Sequence, residues 1–160
     1  MEHEKFYTVR GYQLLKRQNH MLTPGLEDYL EMICRRIRQS GHIRVHELAG
    51  QLHVKPSSAS KMLAKLAALK LIDYEKYGSI RLTQQGEQAG SYLLWRHDVI
   101  LRFFGLLSPS QSDEALVQTE LAEHMLNRRT VEAMELFLLF LSENVDVKQR
   151  FEEFRKTKEK

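Results

Sequence analysis

Carboxylates and imidazoles recur in this chain at spacings that suit metal binding. Asp28 and Glu31 are three residues apart, and Glu120 precedes Glu123 by three residues and His124 by four. Each group reads as helical, and on a helix those offsets put its members on one face. His97 stands between the two groups in sequence. Such a set is rich in oxygen with a minority of nitrogen, which suits a hard or borderline divalent cation such as Mn²⁺. The four carboxylates Asp28, Glu31, Glu120 and Glu123, gathered without metal, would repel one another, and two divalent cations would balance them in formal charge. The expectation is therefore two Mn(II) per subunit, with a carboxylate bridging them. Cys34 follows Glu31 by three residues but is the only cysteine, so a zinc–thiolate site is not expected. The plainer reading is that a single Glu on a helix is solvated surface and that His97, beside Trp95, is packed core.

The elements that must position these residues are read from apolar period and punctuation. Thr23-Pro24 opens a helix, with Thr23 as cap, and Leu26, Tyr29, Leu30, Ile33 and Ile37 give it one apolar face. Ser40-Gly41 stops it. A second helix is expected from Val45 to Leu52 and a turn around His53 to Lys55. After Pro56-Ser57-Ser58, a third helix runs through Ala59, Met62, Leu63 and Leu66 to about Leu69. Two short helices joined by a turn form a helix-turn-helix. Residues 71–75 and 79–82 read as strands around a Lys76-Tyr77-Gly78 turn, a β-hairpin wing. Between His42 and Leu82 there are seven Lys/Arg against three acids, a local charge of +4 compatible with phosphate contacts. The candidate double-stranded DNA contacts are Lys55 in the turn, Ser57, Ser58, Ser60, Lys61 and Lys65 on the recognition helix, and Lys76, Tyr77 and Arg81 on the wing. Ordinary solvated surface, or a winged helix that binds protein, is the alternative for these.

Thr83 caps a long helix from about Gln85 to Leu107 that is apolar on several faces and so must be covered on several sides. It is expected to join the DNA-binding part to a dimerisation part. Helices at about Ser112–Met125 and Thr130–Leu141 follow, the second with a stripe of Met134, Phe137, Leu138 and Leu141. The charged tail is helical near Phe151 and Phe154. The expected fold is mainly α: an N-terminal winged helix-turn-helix domain with a β-hairpin wing, then a C-terminal all-helical dimerisation domain. The divisions are 1–21, an extension with no assigned role, 22–90 for DNA binding, and 91–160 for metal binding and dimerisation.

Composition agrees. The chain has 160 residues and is 42% hydrophobic, enough for a core. No apolar run reaches the roughly 18 residues of a membrane span, and the first residues lack a signal-peptide core. With one cysteine, a reducing, cytoplasmic setting is expected.

The motifs Thr23-Pro24 with Glu27-Asp28-Tyr29-Leu30-Glu31, Val54-Lys55-Pro56-Ser57-Ser58-Ala59-Ser60-Lys61-Met62, Leu71-Ile72-Asp73-Tyr74-Glu75-Lys76-Tyr77, Arg96-His97 and Glu120-Leu121-Ala122-Glu123-His124 are together specific. They closely resemble the manganese transport regulator branch of the diphtheria toxin repressor family, over about residues 22–141. The resemblance implies a homodimeric repressor whose metal site joins the first helix of the DNA-binding domain to the dimerisation domain. It implies Asp28, Glu31, His97, Glu120, Glu123 and His124 as ligands. Iron-responsive relatives carry Met where Asp28 stands and Cys where Glu123 stands. The rival readings are a winged-helix regulator sensing Fe, Zn or an organic ligand, and a di-metal carboxylate enzyme. Helical-bundle enzymes of that kind use two Glu-x-x-His motifs, and here Glu120 and His124 are four apart with no second copy. No catalytic residue is assigned.

Overall fold

Thr23 starts the first helix through its backbone rather than its side chain. In the computed structural model, which describes residues 22–74, 79–107 and 112–158, helix α1 spans Pro24–Ser40. Pro24 takes the first turn, where its missing N–H costs nothing. The Thr23 hydroxyl makes no cap; its carbonyl accepts from the Leu26 and Glu27 N–H groups at 2.9 and 3.0 Å. At the other end Gly41 adopts φ 77°, and its N–H donates to the Ile37 carbonyl at 2.8 Å. A left-handed residue here closes the helix, as glycine does most easily.

Helix α2 spans Val45–Gln51, and the Arg44 N–H donates to the Glu47 carboxylate at 2.9 Å. That bond holds the Glu47 carboxyl below its ordinary value. His53, at φ 52°, turns the chain, and the Val54 N–H returns to the Ala49 carbonyl at 2.9 Å. Helix α3 spans Pro56–Ala68. It begins ahead of the apolar pattern, because Ser58 and Ala59 both donate to the Lys55 carbonyl, at 2.9 and 3.1 Å.

Strands β1 (Ile72–Asp73) and β2 (Arg81–Leu82) pair antiparallel, Ile72 opposite Leu82 and Asp73 opposite Arg81. The ladder is shorter than expected. Beyond the strand ends the Thr83 N–H still donates to the Leu71 carbonyl at 3.1 Å, in the same register. A bridge from Ile43 to Ile80 adds a pairing that the apolar pattern does not announce. The expected turn at Lys76-Tyr77-Gly78 and the 1–21 extension lie outside the described residues.

Helix α4 spans Gln84–Leu107. Thr83 caps it as expected: its hydroxyl oxygen accepts from the Gly86 N–H at 3.0 Å and donates to the Lys70 carbonyl at 2.7 Å. A Cβ on Gly86 would lie 1.7 Å from the Leu71 carbonyl oxygen, so only glycine permits this approach. Helices α5 (Ser112–Ala122), α6 (Arg128–Glu143) and α7 (Val145–Lys158) follow. Helix α5 stops short of Met125. The Met125 and Leu126 N–H groups both return to the Ala122 carbonyl, at 2.8 and 3.2 Å, and the Asn127 side chain caps α6 by accepting from Thr130 N–H at 3.0 Å.

The chain divides into two compact units within α4, at Leu93/Leu94. In the first, Leu30, Ile33, Ile43, Leu48, Leu63, Leu66, Ile72 and Ile80 form a buried core with Leu26 and Leu93. Each such side chain contributes about 1.5–3 kcal/mol on leaving water. In the second, Val99, Ile100 and Val131 pack with Trp95, Phe104, Leu126, Met134 and Leu138. Trp95 Nε1 donates to Glu135 at 2.8 Å, and Arg155 donates to the Leu106 and Leu107 carbonyls that end α4, at 3.1 and 3.3 Å. Among the described residues no helix is long and apolar enough to cross a membrane.

Candidate functional site

In the second unit the polar cluster is organised around Glu123, whose side chain is 1% exposed. His97 comes from α4, where Trp95, Val99 and Ile100 pack the neighbouring positions into the core. Its Nδ1 lies 2.9 Å from Glu123 Oε2, a hydrogen bond that the ring N–H donates. The same Nδ1 is 3.8 Å from Glu120 Oε1, and His124 Nε2 is 3.7 Å from Glu123 Oε1. Sequence reasoning placed Glu120, Glu123 and His124 together on one helix. Only Glu120 lies within α5; Glu123 and His124 follow its end in a turn. The Glu123 N–H still donates to the Thr119 carbonyl at 2.9 Å, so the backbone keeps a helical direction for one more residue and carries Glu123 inward. Glu120 stays half open to solvent.

In the first unit Asp28 and Glu31 lie on α1, one helical turn apart. Glu31 is buried and accepts from Arg35 Nη2 at 2.6 Å, an i,i+4 pair. Cys34, also on α1, is buried, and burial pushes its thiol up from the ordinary range. A Cβ on Gly90 of α4 would lie 2.7 Å from Cys34 Cβ, so the thiol is packed against backbone.

Sequence reasoning missed Arg96. It is 3% exposed, and its Nη2 is 3.9 Å from Glu123 Oε1. A signal was present: an arginine inside the apolar stretch Leu93–Ile100 must find a partner, because charges are almost never buried alone. Carboxylate oxygens beside imidazole nitrogens, on a framework fixed by packed helices, form a donor set that fits a divalent cation.

Helix α3 buries Ala59, Leu63 and Leu66 and turns Ser57, Ser58, Lys61 and Lys65 to solvent, with Lys55 exposed just before it. Ser60 is half-buried, and Arg81 is exposed on β2. Lys76 and Tyr77 lie outside the described residues.

Residues 21–80 match the family described as iron dependent repressor, N-terminal DNA binding domain. The chain is 32% identical over 124 residues to the HTH-type transcriptional regulator MntR of Bacillus pumilus (strain SAFR-032), covering 78% of this chain and 85% of that protein. It is 32% identical over 132 residues to MntR of Lysinibacillus sphaericus (strain C3-41), covering 82% of this chain and 94% of that one. The chain belongs to the MntR family. The fold agrees: the solved structure of the manganese regulator SloR superposes with a TM-score of 0.65 at 28% identity, over 74% of this chain and 55% of SloR. The MntR-family chain thus spans little more than half of SloR. Its relatives are transcriptional regulators, so it is a regulator of the diphtheria toxin repressor family and not an enzyme. Its helix-turn-helix and hairpin are the DNA-binding part.

Proposed function

We propose that this MntR-family chain is a manganese-responsive, homodimeric repressor. It acts in the cytoplasm, binds operator DNA when Mn(II) is held, and controls metal-uptake genes. The observation that carries the reading is the buried Glu123 carboxylate, hydrogen-bonded to His97 with His124 and Glu120 close by. A carboxylate withdrawn from water needs donors or positive charge around it. The oxygen and nitrogen donors favour Mn²⁺ over softer ions, in accord with the relatives named for manganese. A bound divalent cation would supply the concentrated positive charge that neutralises Glu120 and Glu123.

Asp28 and Glu31 are the further proposed ligands, completing the set with His97, Glu120, Glu123 and His124, and two ions per subunit is the proposed stoichiometry. Residues 22–90 are assigned to DNA binding and 91–160 to metal binding and dimerisation. The exposed side chains of α3, with Lys55 and Arg81, are the proposed phosphate and base contacts.

Dimerisation has its own support. The second unit leaves Val117, Leu121, Leu136, Phe137 and Phe140 exposed. Exposed apolar side chains on α5 and α6 are the kind that an interface would cover. A second copy fits it, because a regulator reading two half-sites about 34 Å apart needs two heads.

Fe²⁺ or Zn²⁺ is the second reading, favoured by the match to an iron dependent repressor domain. DNA binding measured across Mn²⁺, anaerobic Fe²⁺, Zn²⁺ and Ca²⁺ separates them. Strongest activation by Mn²⁺ supports the proposal, and DNA binding that a chelator leaves unchanged overturns both readings.

A further inference from the structure

Arg96 is the group in the second unit whose chemistry the proposed site does not use. The residue is 3% exposed, and its Nη2 lies 3.9 Å from Oε1 of the buried Glu123. That distance is too long for a hydrogen bond but close for two charges in a dry setting. Arginine stays protonated at any working pH. Glu123 Oε2 is engaged by His97 at 2.9 Å, so Arg96 adds charge beside Oε1 without taking the carboxylate in a two-pronged clamp. His97 and Arg96 are adjacent on α4. The same helical turn therefore carries a proposed ligand and a fixed cation toward one carboxylate.

We infer that Arg96 is a built-in counter-charge that sets the metal affinity of the site. It balances buried Glu123 when no divalent cation is held, and it opposes the cation's arrival. A buried carboxylate without compensation strongly destabilises a fold, so the metal-free unit depends on Arg96. A divalent ion near Glu123 meets repulsion from the same guanidinium, which raises the metal concentration needed for loading. The inference rests on Glu123 being a ligand, and it makes Arg96 a positioning and tuning residue.

The test uses the full chain, calorimetric titration with Mn(II) alone, and thermal melting in chelator. Arg96→Met should melt earlier without metal yet bind Mn(II) about tenfold more tightly or better. Arg96→Lys, which keeps the charge, should stay near wild type in both. Adding Glu123→Gln to Arg96→Met should recover metal-free stability, because the uncompensated charge is gone. A merely structural arginine would lower stability without tightening metal, so unchanged or weaker Mn(II) binding by Arg96→Met overturns the inference. If Arg96→Met does not fold, recovery in the double variant supports the inference and no recovery overturns it. The site reading fails separately, when Glu123→Gln alone binds Mn(II) as wild type does.

Discussion

His97 and Glu123 meet at 2.9 Å inside the second unit, with side chains 7% and 1% exposed. They come from different elements, α4 and the turn after α5, so the contact fixes one against the other. In the metal-free protein this hydrogen bond satisfies a carboxylate that water does not reach.

His97→Ala should cost about 1–3 kcal/mol of metal-free stability, because it leaves Glu123 buried without that donor. It should also weaken Mn(II) binding by more than about tenfold through the lost nitrogen ligand. Melting in chelator and calorimetric titration read the two effects. Retention of wild-type Mn(II) affinity would remove His97 from the ligand set.

Gly90→Ala should destabilise the first unit by about 1–3 kcal/mol, since the new Cβ would lie 2.7 Å from Cys34 Cβ and 2.9 Å from its sulfur. Denaturant unfolding measures this. Cys34→Ala should rescue little, as it keeps the Cβ. A neutral Gly90→Ala would mean that α1 and α4 do not approach this closely.

Much of the first unit is legible in the chain because its signals are local. Gly41, Pro56 and Thr83 mark helix ends by their own backbone chemistry, and the apolar period supplies the core face between them. Features that depend on distant partners are not legible. Ile43 pairs with Ile80, and a lone β-branched residue between Gly41 and α2 shows no period. In the site, residue types and offsets point to Glu120, Glu123, His124 and His97. The end of α5 at Ala122 is hidden because Glu120–His124 keeps a helix-like pattern while the backbone N–H groups turn back. Arg96 gains a role from Glu123, which the fold brings near it.

Lys61 and Lys65 project from the solvent face of α3. Lys61→Ala or Lys65→Ala should weaken DNA binding and reduce the salt slope by about one unit for each phosphate no longer neutralised. Mn(II) affinity without DNA should not change. Salt titrations of DNA affinity check this, and wild-type binding by both variants would move the reading face elsewhere.

Leu121 and Leu136 are 73% and 67% exposed in the single chain. Leu121→Arg or Leu136→Arg should shift the protein toward monomer, by burying a charge in an apolar interface. Sedimentation analysis over a range of concentrations gives the answer. Full dimer in both variants would place the interface on another surface, and a monomeric wild type would reject the homodimer.

The central claim is that metal and DNA binding are coupled. A duplex selected from random sequence by the Mn(II)-loaded protein allows both affinities to be measured. DNA affinity is taken in Mn(II) and in chelator, and Mn(II) affinity is taken with and without the duplex. The account predicts DNA binding at least about tenfold tighter in Mn(II), and Mn(II) binding tightened by the same factor when DNA is present, as linkage requires. Equal DNA affinity in Mn(II) and in chelator would contradict it.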